Sequence, residues 1–210
     1  MADGSKFDWD GPASVTNERV REATASELES NPYLNPYYKR EPRFYASVLF
    51  HGAPWQERPS DVEQPDTIQT GFFVEAGADY TNEDAITPGV DTRQSNTESW
   101  NGTKTGYYLK KFMDPDINGQ YESNEHTWAE FRYAEILLDY AEASINLGEM
   151  AEGIDALNQV RNRAGLPDRP TGATQAEALQ YLRHERKIEF FGEGKRWFDI
   201  RRWMIADEVI

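Results

Sequence analysis

Apolar residues recur every three to four positions along the last part of the chain, from about Thr127 onward. This spacing places them on one face of an α-helix. Gly148 suits the left-handed position after a helix end, and Thr174 with Glu177 forms a capping box at a helix start. The pattern predicts four helices: one through Phe131–Ile145, then Ala151–Arg163, Gln175–Phe191, and Lys195–Ile205 with Trp197, Ile200 and Met204 on its apolar face.

The chain before residue 127 has a different pattern, because prolines and glycines recur at short intervals. Each proline removes a backbone donor and disfavours the α conformation at the preceding residue. Long helices are therefore excluded here, apart from a short one at Thr16–Leu28. Three segments rich in aromatic and β-branched residues predict a small sheet: Arg43–Phe50, Gln69–Val74 and Gly106–Phe112.

Two regions follow from this contrast: residues 1–126 form a loop-rich, ligand-facing region with short strands, and residues 127–210 form a helical region. The first predicted helix pair matches a tetratricopeptide unit at Leu137, Ala141, Gly148, Gly153 and Leu157. One such unit cannot cover its own apolar face, and about three stacked units are usually needed. The fold class predicted is mostly α, with tetratricopeptide-like helix hairpins, long irregular loops and a small β-sheet, and incomplete in this chain.

Composition narrows the function. The net charge is −15, so the basic surface that nucleic acid requires is not expected. There are no cysteines, which excludes disulfides and thiolate chemistry. No run approaches about 18 apolar residues, and no apolar signal-peptide core follows the first residues. We interpret the chain either as cytosolic or as lacking its natural beginning.

The sequence gives little evidence for a catalytic or a metal-binding site. His51, His126 and His184 have no metal-ligand spacing, and no motif singles out a catalytic carboxylate pair. The segment Asp114–Glu125 formally fits the spacing of a calcium loop, but the sequence before it predicts a strand rather than a helix. A plain Asx-type turn is the competing interpretation. We therefore expect no cofactor, and leave calcium at this segment open.

Four blocks of sequence, in this order along the chain, carry a family resemblance. They are Asn31–Tyr33 with Arg40–Leu49 and Gly52–Trp55; Thr105–Phe112; Arg132–Ala143 with Leu157–Pro167; and Arg183–Phe190 with Glu193–Trp203. Together they resemble the SusD/RagB family of outer-membrane glycan-binding lipoproteins, in its C-terminal portion. The signal peptide, the lipid-bearing cysteine and the N-terminal helical repeats of that family are absent from this chain.

The resemblance implies a receptor rather than an enzyme. Such proteins capture oligosaccharides, or in some members peptides, at the bacterial surface without cleaving them. They deliver the ligand to a SusC-like TonB-dependent transporter. Two alternatives stay open: a tetratricopeptide-like module that binds a protein, and an accessory domain of a glycoside hydrolase.

Aromatic residues between Gly52 and Thr105 are the candidate ligand-binding residues. Sugar recognition needs flat apolar faces for the rings and planar amides or carboxylates for the hydroxyls. Trp55, Tyr80, Trp100 and Asn101 offer these groups, and Gln56 adjoins Trp55. The competing interpretation is that the rings anchor irregular loops to the core.

The charged block near the end of the chain has two interpretations, an anion site or a structural ion-pair network. The signs alternate closely, which favours the network. We expect arginines to connect the helices to acidic partners there: Arg161, Arg163, Arg186 and Arg201 with Glu135, Glu185, Glu189 or Asp199.

Overall fold

A computed structural model describes residues 37, 39–56, 67–74, 86–95, 102–117 and 124–209. The predicted helix at Thr16–Leu28 lies outside this set. The chain divides into two compact units, one of Ala46–Trp128 and one formed by the residues before and after it. The elements are α1 (Pro42–Ser47), β1 (Val48–Leu49), β2 (Phe72–Val74), β3 (Ile86–Pro88), β4 (Tyr108–Leu109), α2 (Tyr133–Leu147), α3 (Met150–Arg163), α4 (Gln175–Glu189), α5 (Arg196–Arg202) and α6 (Ala206–Val209).

Helices α2, α3 and α4 confirm the predictions made from the apolar periodicity. Gly148 ends α2 in the left-handed conformation, with φ of 88°, and its N–H donates to the carbonyl of Ile145. Thr174 begins α4 through a complete capping box, because its hydroxyl accepts from the N–H of Glu177 and the Glu177 carboxylate accepts in return. The mostly helical fold class is confirmed as well.

The core of the helical unit lies between α2, α3 and α4. Gly153 lets α2 and α3 approach closely, because a Cβ there would lie 2.6 Å from Cγ1 of Ile145 and 2.9 Å from the carbonyl oxygen of Ala141. The small residues of the predicted tetratricopeptide pattern thus set the packing distance of this hairpin. The buried apolar cluster consists of Ala134, Leu138, Ala141, Ile145, Ile154, Ala156, Leu157, Val160, Ala178, Leu182 and Phe190.

Each of the three predicted strand segments contains a strand, but a shorter one than predicted, and β3 was not predicted. Residues of Arg43–Phe50 form α1 up to Ser47, and strand only at Val48–Leu49. Pro42 suits the first position of a helix, where its missing N–H is no loss. The strands pair antiparallel in two separate two-stranded sheets, β1 with β4 and β2 with β3.

The last predicted helix is also interrupted. Helix α5 ends at Arg202, and Met204 takes a positive φ of 55° before α6 begins. Ile200 is buried as expected, but Trp197 is 56% exposed and Met204 is 89% exposed. Because the helix stops short, Met204 leaves the face that Ile200 buries. Phe131, expected on the buried stripe of α2, precedes that helix and is 73% exposed.

Replacing Gly153 by alanine should test the close approach of α2 and α3. Alanine gains about 1 kcal/mol of helix propensity, but overpacking costs about 1–3 kcal/mol. We expect a net loss of about 1 kcal/mol in the free energy of unfolding, measured by urea denaturation. Gly172→Ala is the control, since no atom lies within 4 Å of its added Cβ. A more stable Gly153→Ala protein would contradict the packing argument.

One face of α2 carries exposed apolar side chains that no helix covers in the described part of the chain: Tyr133, Ile136, Tyr140 and Leu147. A tetratricopeptide hairpin buries such a face against a stacked neighbour. We expect the isolated chain to self-associate, with a sedimentation coefficient that rises with concentration. Ile136→Glu should reduce this association, whereas Asn162→Glu, at an exposed position on α3, should not. A monomer at every concentration would contradict the expectation.

Candidate functional site

Trp55 lies in the unit Ala46–Trp128, at the edge of a small apolar cluster. Leu49, Ala53 and Ile68 form the buried part of this cluster, and the half-buried Trp55 and Tyr108 pack against it. The indole also lines a cavity of about 330 Å³. We call this cavity the Trp55 pocket; its other lining residues are Leu49, Ile68, Val90, Asp91, Gly102, Tyr108, Leu109 and Met113.

Hydrogen bonds to Tyr108 and Asp91 fix the walls of the Trp55 pocket. The register of β1 and β4 places Tyr108 opposite Leu49. The Tyr108 hydroxyl donates to the carbonyl of Asp91 at 2.7 Å and accepts from the N–H of Thr103 at 3.0 Å. The Asp91 carboxylate in turn accepts from the N–H of Gln69 at 2.7 Å. Three separate loop segments are thereby joined around one cavity.

Burial of the Tyr108 side chain raises the pKa of its phenol. The nearby charge of Asp91 acts in the same direction, and the N–H of Thr103 opposes it. The hydroxyl therefore stays protonated near neutral pH and keeps its role as donor to Asp91.

Gln56 does not have the role expected from its place beside Trp55. Its side-chain nitrogen donates to the carbonyls of Pro115 and Ile117, at 2.6 and 2.5 Å. This amide nitrogen is engaged in holding a loop, so it is not available to a sugar hydroxyl. Lys110 places its ammonium 5.7 Å from the centre of the Trp55 ring.

Of the four candidate ligand-binding residues, the structure locates Trp55. Its ring packs on the small core, as the anchoring interpretation expects, and it also lines a cavity, while its ligand-binding role stays a prediction. Tyr80, Trp100 and Asn101 lie outside the described residues and stay predictions. Tyr108 lines the same cavity and was not predicted as a site residue. Its place in a predicted strand gave no sign of which face it occupies.

The described part of the Asp114 segment forms an Asx-type turn, in which the Asp114 carboxylate accepts from the N–H of Asp116 at 2.9 Å. Residues 118–123 of the formal calcium loop lie outside the described set. Among the described residues, no three acidic, histidine or cysteine side chains are grouped as metal ligands. Calcium binding here stays an open hypothesis.

The charged block forms a buried ion-pair network in the helical unit, as predicted. Glu185 is fully buried and pairs with Arg161 at 2.9 Å and with Arg43 at 2.7 Å. Glu189 is almost as deeply buried and pairs with arginines from three segments. Its partners are Arg43 at 3.0 Å, Arg132 at 2.9 Å and Arg163 at 2.7 Å.

A second group of charges connects α2, α4 and α5. Arg186 pairs with the buried Asp199 at 3.0 Å and also with Asp139. Glu135 lies 3.0 Å from Lys195 rather than from an arginine. The prediction for Arg201 is wrong, since its guanidinium lies 4.5 Å from the Trp197 ring and makes no ion pair within the described residues. Arg43, Arg132 and Arg202 were missed as members of the network.

Glu142 accepts hydrogen bonds from Arg202 and from the indole N–H of Trp203. Burial alone would raise its pKa, but these bonds outweigh burial and lower the pKa. A carboxyl with a lowered folded-state pKa stabilises the fold above its ordinary pKa of about 4.3, and the stabilisation is lost as the pH falls through the folded-state value.

Glu142→Gln should therefore lower the melting temperature at neutral pH and do so less in acid. Calorimetry from pH 7 down to pH 3 measures this difference. Asp155→Asn is the control, because Asp155 is exposed on α3 and has no ion pair within the described residues. A melting-temperature difference that stays constant across this range would show that the charge of Glu142 is unimportant.

Three comparisons with known proteins all relate this chain to the same family. The model of the SusD family matches residues 1–210. The chain belongs to the SusD family. Two SusD-like proteins of Formosa agariphila are 36% identical over 88 residues and 39% identical over 87 residues. The crystal structure of a SusD-like protein from Bacteroides fragilis superposes on 89% of this chain with a TM-score of 0.62 and 30% identity.

This SusD-family chain spans a minor part of the proteins it matches. The alignments cover 18% and 17% of the two Formosa agariphila proteins and 32% of the Bacteroides fragilis protein. Within the described residues, no helix has the length and apolar character needed to cross a bilayer.

Proposed function

We propose that this chain is the C-terminal part of a non-catalytic receptor that binds an oligosaccharide at the outer-membrane surface of a bacterium. The full-length lipoprotein would deliver its ligand to a SusC-like TonB-dependent transporter. Membership of the SusD family supports the proposal, and so does the order of the four sequence blocks from Asn31 to Trp203.

The Trp55 pocket is the observation that carries the binding role. Its volume of about 330 Å³ is at the lower end of small-molecule sites, which are about 300–1,000 Å³. An indole and exposed apolar side chains, Leu109 and Met113, line it. Such a surface suits the apolar face of a sugar ring. Tyr80, Trp100 and Asn101 stay predicted ligand-binding residues outside the described part of the chain.

The same pocket supports binding without cleavage. Glycoside hydrolysis generally needs two carboxyl groups facing the scissile bond. Asp91 is the single carboxylate among the described residues that line the Trp55 pocket. Its oxygen already accepts from the N–H of Gln69. A lone, hydrogen-bonded carboxylate suits a sugar hydroxyl better than it suits acid–base catalysis.

The exposed apolar face of α2 favours a second function, binding of a protein partner by a tetratricopeptide-like surface. Tyr133, Ile136, Tyr140 and Leu147 all lie on this face. The larger assembly proposed for the full-length protein also needs a protein contact. The two functions are therefore compatible within one receptor.

Affinity electrophoresis in gels containing α- or β-linked glucans should test the receptor function. We expect at least one polysaccharide to retard the protein without release of reducing sugar. Trp55→Ala should abolish this retardation, since the indole supplies the stacking face. Release of reducing ends by the purified protein would overturn the proposal.

Trp128→Ala is the matched control, because Trp128 is exposed in the same unit and contacts Phe112 away from the pocket. We expect this variant to be retarded like the unmodified protein. The melting temperature of each variant separates binding from packing. If Trp55→Ala loses retardation only in proportion to its loss of melting temperature, Trp55 is a core residue instead.

A further inference from the structure

A second cavity, of about 530 Å³, lies in the helical unit and concentrates positive charge. The whole chain has a net charge of −15, so composition alone does not produce such a cluster. One carboxylate, Glu208, also lines this cavity. We call it the basic pocket; its cationic and imidazole side chains are Arg169, Arg183, His184, Lys187 and Arg196.

Three basic side chains of this pocket differ from the arginines of the ion-pair network. Arg43, Arg132, Arg161 and Arg186 each pair with a carboxylate. By contrast, three cations of the pocket have no carboxylate within ion-pair distance among the residues that the structure describes: Arg183, Lys187 and Arg196.

Two of these charges also repel each other. Arg183 and Lys187 are one turn apart on α4, and like charges at this spacing destabilise a helix. The fold therefore keeps two cations on one helix face without a carboxylate partner in the described part of the chain. An anion bound between them would remove this repulsion.

Arg183 supplies the second independent observation. Its Nε is buried and has no hydrogen-bond acceptor within the described residues. The guanidinium lies 5.4 Å from the centre of the Trp203 ring, which supports one of its faces. Buried polar groups are almost always hydrogen-bonded in native proteins, so this donor calls for an acceptor from outside the described residues.

The pKa of Arg169, which also lines the pocket, shifts in the direction opposite to that of Arg186 in the ion-pair network. Burial lowers the pKa of its guanidinium, and repulsion from Arg161 adds to the effect and outweighs the attraction of Glu185. For Arg186, in the ion-pair network, the carboxylates of Asp199 and Asp139 outweigh burial and raise the pKa. The pKa of Arg169 is therefore lowered, whereas that of Arg186 is raised.

We propose that the basic pocket binds the oxyanion of an acidic sugar, either the carboxylate of a uronic acid or a sulfate ester. Arginine binds both groups through its planar fork of N–H donors. The volume of the pocket suits a ligand of one or two rings, and Tyr181 contributes an aromatic wall. The claim that a sugar carries this anion rests on the proposed function, whereas the claim that the pocket binds an oxyanion rests on the pocket alone.

A sugar fits these observations better than an anionic lipid surface. The site is concave, and the strongly acidic chain around it repels an extended anionic surface. A small ligand enters the local positive potential without bringing a charged sheet against the rest of the protein.

Isothermal titration calorimetry of the chain with four probes tests the proposal: glucose, glucuronate, glucose 6-sulfate and inorganic sulfate. We expect glucuronate or glucose 6-sulfate to bind with an affinity that falls as salt rises, and glucose not to bind in the basic pocket. Whichever probe binds tighter identifies the carboxylate or the sulfate ester as the preferred group. No saturable binding of either acidic sugar overturns the proposal.

Arg183→Gln and Lys187→Gln should each weaken binding of the acidic sugar about tenfold or more, as expected for loss of a charge-assisted hydrogen bond. Lys187 is exposed, so its variant keeps the fold even if Arg183→Gln is less stable. Arg201→Gln is the matched control, because this exposed arginine lies outside the pocket and should bind normally. Equal affinity in all three variants would overturn the proposal.

Two further outcomes would show which part of the proposal is wrong. If inorganic sulfate binds as tightly as either acidic sugar, the pocket takes the anion and not the sugar. If vesicles of phosphatidylcholine and phosphatidylglycerol sediment the chain in a manner that needs Arg183, the ligand is a lipid and the sugar proposal is wrong. Retardation in neutral glucan gels depends on Trp55 and not on Arg183, so the receptor function is tested separately.

Discussion

The burial of two carboxylates, Glu185 and Glu189, is the constraint on which the helical unit depends. A buried charge without partners is strongly unfavourable, and removing one partner of a buried pair typically costs about 3–5 kcal/mol. Both carboxylates lie on α4 and are almost completely enclosed. The chain must therefore bring several arginines to one place, and α4 becomes the element around which the others are arranged.

The arginine partners come from segments far apart in the sequence. Arg43 is 142 residues before Glu185, and Arg132 is 57 residues before Glu189. Arg161 and Arg163 lie at the end of α3. Fixing these long side chains in one geometry needs both carboxylate oxygens and the planar fork of arginine. The network thus ties α1, the start of α2 and the end of α3 to α4.

The two candidate pockets differ in whether the protein itself supplies hydrogen-bond partners for their polar groups. Around the Trp55 pocket, the hydroxyl of Tyr108 and the carboxylate of Asp91 are hydrogen-bonded within the protein. These polar groups have hydrogen-bond partners, and the wall presents apolar surface. In the basic pocket, Arg183 retains a buried donor without an acceptor in the described part of the chain. The first arrangement suits stacking on a neutral ring, and the second suits a ligand that brings its own charge.

Much of the local structure could be predicted from the sequence, because its causes act over a few residues. Apolar periodicity, Gly148 and the Thr174–Glu177 capping box predicted α2, α3 and α4 within a few residues of their ends. The four ordered blocks also predicted the family, since a whole set of short motifs in order is far more specific than any one of them. For the candidate site, Trp55 was predicted and lies beside a cavity, while Tyr80, Trp100 and Asn101 stay predictions.

The sequence by itself thus determined α2, α3 and α4, the caps at Gly148 and Thr174, the acidic balance and the family. Only the tertiary structure decided which arginines enter the network, and that Trp197 and Met204 face outward. It also decided that residues from the loop before α4, from α4 itself and from α5 and α6 line one basic pocket. The physical reason is range: a cap or an apolar stripe depends on neighbours in the chain, whereas pairing and burial depend on residues that meet after folding.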